Sequence, residues 1–93
     1  MIEQLMKEVR VEFQIPPYFP DEGLKNYIEE GIARLTSLNP YADLEKDGVG
    51  RSLLKNYVDY AYHHRIDDWE RNYQSLIISW QMGSEINDTA ADL

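Results

Sequence analysis

Between Gly50 and Gly83 the chain contains neither glycine nor proline, and its apolar residues recur at helical spacing. Leu53, Leu54, Tyr57, Val58, Ala61 and Tyr62 make one stripe, and Trp69, Tyr73, Leu76, Ile77 and Trp80 make another. Ile66 bridges the two in phase. Recurrence at i, i+3, i+4 and i+7 is the mark of an amphipathic helix with one face turned to a core. The unbroken phase favours a single helix from about Arg51 to Met82, continuous or merely kinked. A break near His63–Asp68, with Asp67 as N-cap, is the competing reading. Gly83 is the expected C-cap of this element.

The remaining segments also read as helix and connector. Ile2, Leu5, Met6 and Val9 form one stripe, so Met1 to about Glu12 is a short amphipathic helix. Gln14 to Pro20 carries three prolines, which remove backbone donors and hold the preceding residues extended. That linker has aromatic residues suited to pin it to the core. Asp21 is the expected N-cap of the next helix, with Glu22 in its first turn. Leu24, Tyr27, Ile28, Ile32, Leu35 and Leu38 follow helical spacing until Asn39-Pro40 ends the run. Gly31 lies inside that run at a cost of about 1 kcal/mol against alanine, which points to close packing of another backbone there. Tyr41 to Gly50 reads as a loop, with Asp47-Gly48 as a turn. The expected fold is all-α: a small domain of three to four helices over residues 1–82, with a long C-terminal helix and a flexible acidic tail over 83–93.

Composition narrows the function classes. An apolar fraction of 43% is enough for a core and too much for a wholly disordered chain. With no cysteine, neither a disulfide framework nor a thiolate metal site is possible. No apolar run approaches the roughly 20 residues of a membrane span. The first residues lack a basic stretch ahead of an apolar block, so no secretory signal is expected. The net charge of −8 repels nucleic-acid phosphates and anionic membranes. From Asp67 onward six acids face Arg71 alone. Sequence-specific DNA binding is therefore not expected, whereas passage of DNA past such a surface is compatible with it.

No constellation points to catalysis, so an enzyme is not expected, and neither is a cofactor or a metal. His63 and Asp67, and His64 and Asp68, would share faces on a continuous helix. The two pairs would point about 100° apart, and each lacks the third and fourth ligands of a closed site. Glu22, Glu29 and Glu30 lie on the face expected to be wet, which is a poor setting for acid–base work. The serines sit in no nucleophile-elbow context, and there is no glycine-rich phosphate loop. The crowding of Tyr57, Tyr60, Tyr62, Trp69, Tyr73 and Trp80 is more informative. They cannot all face one core, so some are either interface residues or ordinary tyrosines with wet hydroxyls.

Three stretches carry a resemblance over about residues 2 to 82. They are Ile2-Glu3-Gln4-Leu5-Met6-Lys7-Glu8-Val9, then Gly23 to Leu35, then Gly50-Arg51-Ser52-Leu53-Leu54-Lys55-Asn56-Tyr57-Val58-Asp59-Tyr60-Ala61 with Trp69-Glu70-Arg71-Asn72-Tyr73-Gln74-Ser75-Leu76-Ile77. In this order they resemble the small head–tail connector (adaptor, or head-completion) proteins of long-tailed bacteriophages, in particular the Gram-positive phage branch. The proline-rich segment Pro16 to Pro20 departs from that pattern.

The resemblance implies a structural virion protein at the head–tail interface, present in the bacterial host cytoplasm during assembly. It implies a ring of identical subunits beneath the portal protein, extending the DNA channel and docking the stopper or tail-completion protein. On that reading Tyr60, Tyr62, Trp80, Phe19 and Tyr41 are candidate interface residues. Glu85, Ile86, Asp88, Asp92 and Leu93 form a candidate partner-binding tail that orders on docking. DNA would pass through without sequence-specific binding, and no membrane is involved. The alternative from charge is an acidic helical regulator that imitates DNA and inhibits a DNA-binding protein. A metal-dependent helical enzyme built on His63, His64, Asp67 and Asp68 is a further rival.

Overall fold

A computed structural model describes the backbone of residues 1–92 and the side chains as far as Gly83. It contains four helices: α1 (Ile2–Glu12), α2 (Asp21–Leu38), α3 (Gly48–Tyr62) and α4 (Ile66–Asp92). The described residues contain no strand, so the chain is a small all-α domain. α3 is the central helix: α1, α2 and α4 all pack against it, and α1 also packs on α2.

The apolar stripes become the core. α1 contributes Leu5 and Val9, α2 contributes Leu24, Ile28 and Leu35, and α3 contributes Leu53, Leu54, Tyr57, Val58 and Ala61. α4 adds Trp69, Ile77 and Trp80, while Ile15 and Leu44 enter from the connectors. Gly31 is buried where α2 meets α3. A Cβ built there would stand 2.7 Å from Leu54 Cδ1 and 2.8 Å from Tyr57 Cδ1, closer than packed atoms approach. Close packing is thus the reason for this glycine, although the neighbours are side chains rather than backbone.

The connectors correct several expectations. The favoured single helix from Arg51 to Met82 is two helices folded into a hairpin, and the break falls at His63–Arg65, where the competing reading put it. His64 takes φ 59°, in the left-handed region. Its N–H donates to Ala61 O at 3.0 Å, and the Arg65 N–H donates to Tyr60 O at 2.8 Å. This is a Schellman closure with histidine in the place glycine usually holds. Histidine is among the few non-glycine residues enriched in that region. Asp67 lies inside the first turn of α4 instead of capping it. At the other end α4 passes through Gly83, and no glycine in the chain has positive φ.

Asp21 is likewise the first helical residue of α2, with Pro20 in the cap position. The loop expected up to Gly50 ends at Asp47, which caps α3 by accepting the Gly50 N–H at 3.0 Å. The proline segment is tied down by Arg10, whose guanidinium donates to Pro16 O at 3.0 Å and Phe19 O at 2.8 Å. The same group pairs with Asp21 at 2.7 Å.

Candidate interaction surface

The aromatic side chains mostly meet one another. Tyr57 and Trp69 pack edge to face at 5.1 Å inside the α3–α4 hairpin. Phe19 meets the Tyr62 ring edge-on at 5.0 Å and lies parallel to Tyr27, so the proline linker is pinned to the core as expected. Tyr60 packs edge-on against Tyr73, and its hydroxyl accepts from Asn72 Nδ2 at 3.1 Å. Burial raises the pKa of both Tyr57 and Tyr73 above the ordinary phenol range. Glu30 adds to the shift at Tyr57, and Tyr60 adds to it at Tyr73.

The five candidate interface residues therefore part company. Trp80 is a core residue, only 6% exposed, and its indole N–H donates to Asp47 Oδ2 at 2.6 Å. That burial removes it from any surface role. Phe19, Tyr60 and Tyr62 are half-buried against the core. Tyr41 is exposed, as is Tyr18 in the proline linker, so Phe19 and not Tyr18 pins that linker to the core. The side chains of Glu85, Ile86, Asp88 and Asp92, and all of Leu93, lie outside the described residues.

Among the described residues α4 carries three exposed large apolar side chains, more than any other helix. Ile78 and Met82, one turn apart, are both exposed, and Leu76 is exposed on a different side of the helix. Ile78 borders an open cleft of about 390 Å³ between the C-terminal half of α2 and α4. Leu38, Ile77 and Ile78 supply its apolar lining, with Gln74 and Gln81 beside them. Gln81 Nε2 donates to Leu38 O at 2.6 Å, and an Arg34–Glu70 ion pair spans the same two helices. An apolar lining between polar anchors suits a docked side chain from another protein. The exposure of Ile78 is hidden in the sequence because Ile77 occupies the stripe position and Ile78 reads as its continuation, and Met82 reads only as the end of the helix.

The histidine–aspartate constellation does not assemble as its spacing suggested. With the helix broken, His63 turns back to α3: its Nδ1 lies 2.9 Å from Asp59 O and 3.4 Å from the Asp59 carboxylate. Asp68 accepts from Arg65 at 2.7 Å and from Arg71 at 3.0 Å. Among the described residues no three His, Asp or Glu side chains converge on a point that would hold a metal ion. None of the described helices is long and apolar enough to cross a membrane.

Comparison with known proteins adds no relative: no protein-family model, curated protein or solved structure matches the chain.

Proposed function

We propose that the chain is a structural head–tail connector of a long-tailed bacteriophage. In this role it forms a ring beneath the portal protein, extends the DNA channel and docks the stopper or tail-completion protein. The observation that carries the reading is where the resembling residues fall. Leu53, Leu54, Tyr57, Val58 and Ala61, with Trp69 and Ile77, all lie in the buried core that α3 shares with the other three helices. The resemblance thus lies in the parts that build the domain.

The surface agrees with a protein that works by docking. The cleft beside Ile78 and the exposed Met82 provide an apolar patch with polar neighbours. A ring requires heterologous contacts between unlike patches of identical chains. The exposed carboxylates Glu22, Glu29 and Glu30 on α2 suit a channel wall, because acids make no counterion-releasing contacts with phosphate.

The test is sedimentation of purified protein with tailless capsids of the encoding phage, with and without portal. Binding only to portal-bearing capsids is expected. A folded protein that ignores both would overturn the proposal and favour the acidic regulator. That rival should bind a basic protein one-to-one and lose affinity steeply with salt.

A further inference from the structure

The connection at His63–Arg65 holds a hairpin that the surrounding sequence does not require. Leu54, Val58, Tyr62, Ile66, Trp69, Tyr73, Ile77 and Trp80 follow one another at steps of three or four, straight through the break. No glycine or proline lies between them. Only the left-handed backbone of His64 reverses the chain.

The hydrogen bonds of this turn are nearly neutral toward opening. In the hairpin, His64 N–H bonds to Ala61 O and Arg65 N–H to Tyr60 O. In a continuous helix the same two donors would bond to Tyr60 O and Ala61 O, exchanging partners with none lost. His63 N–H already bonds to Asp59 O at 3.2 Å, as it would in a helix. Opening would also give backbone partners to the N–H groups of Ile66 and Asp67, since those of Asp68 and Trp69 already donate to Arg65 O. It would relieve the left-handed cost at His64.

We infer that α3 and α4 can open at this connection into one continuous helix, with α4 exchanged onto α3 of a second copy of this chain. Exchange keeps the hairpin's contacts and moves them between chains. Trp69 Nε1 donates to Leu53 O at 3.2 Å, and Trp80 Nε1 donates to Asp47. Gln81 donates to Leu38 O, and Arg34 pairs with Glu70. Each of these would reform across the dimer. The balance is then set by concentration and by the connection itself, because the closed hairpin presents α4 to α3 at high effective concentration. Dilute protein is monomeric, and concentrated refolding yields the exchanged dimer. This inference does not depend on the connector reading.

The chain has no cysteine, so a thiol-specific cross-link between introduced cysteines gives a clean test. R34C and E70C would be introduced on separate copies, the two proteins refolded together at high concentration and treated with a bis-maleimide long enough to replace the Arg34–Glu70 side-chain pair. A mixed cross-linked dimer is expected. The double variant R34C/E70C, refolded dilute, should be bridged within one chain. Light scattering supplies a second readout that needs no cross-link. H64A should raise the dimerisation constant about tenfold, since each dimer carries two helical turns through position 64, which alanine favours over histidine. H64G should lower it by a similar factor, because glycine accepts that turn without strain. Wild type and H64A that stay monomeric at every concentration would overturn the inference, as would a dimer unaffected by H64G. A pair that closes within one chain and never between chains would do the same.

Discussion

One oxygen of the Asp47 carboxylate accepts the Gly50 N–H, and the other accepts the Trp80 indole N–H. A single side chain therefore starts α3 and anchors the far part of α4. Asp47→Ala removes a cap worth about 1 kcal/mol. It also leaves the indole N–H unpaired in a buried setting, at about 1–3 kcal/mol. We expect a loss of about 2–4 kcal/mol in urea unfolding, and a smaller loss for Asp47→Asn, which keeps one acceptor oxygen. Equal losses for the two variants would contradict this. Gly31 gives a second prediction. Alanine there gains up to about 1 kcal/mol of helix propensity. It collides with Leu54 and Tyr57, and overpacking costs about 1–3 kcal/mol. Gly31→Ala should therefore lower the unfolding midpoint. Asp47-Gly48 was legible as a turn, but the Trp80 contact was not, because it joins residues 33 apart in sequence.

At the scale of elements, each helix was legible from its stripe, since burial on one face repeats at the helical period. The α3–α4 break was legible only as the competing reading. Its apolar phase runs on through the connection, and the reversal rests on a histidine in a conformation usually given to glycine. What folds α4 back within a single chain is tertiary: Trp69 and Trp80 reach back to Leu53 and Asp47, contacts that an isolated open chain would lose. The docking of α1 depends on charge as well. Its Glu8 carboxylate accepts from Arg51 at 2.9 Å, and Lys55 pairs with Glu12 at 2.8 Å. Burial alone would raise the Glu8 pKa. The hydrogen bonds from Arg51 and Gln4 outweigh it and hold the group below its ordinary value of 4.5. A depressed carboxyl pKa stabilises the fold above the unfolded value, and that contribution is lost as pH falls through the folded value. Amide exchange in α1, corrected for intrinsic rates, should therefore gain protection from pH 3 to pH 6. Glu8→Gln should flatten that rise, and a variant with an unchanged pH profile would count against the pairing.

For the whole molecule, the sequence alone yields the class of fold and a net charge of −8, of a sign that repels nucleic-acid phosphates. The surface a partner would use was only partly legible. Of the aromatic candidates, Trp80 proved to be core, while the exposed pair Ile78 and Met82 lay hidden beside a stripe position. Hydropathy marks which residues are apolar, and only packing decides which of them remain uncovered. If α4 is a docking face, Ile78→Asp with Met82→Asp should abolish portal binding and move the unfolding free energy by less than about 1 kcal/mol, as expected for exposed sites. Loss of folding in that variant would show the face to be structural instead. Electron microscopy of tailless, portal-bearing capsids incubated with the protein shows whether a ring assembles under the portal. The connector account predicts extra ring density below the portal when the protein is added to tailless capsids. Portal vertices identical with and without the folded protein would contradict it.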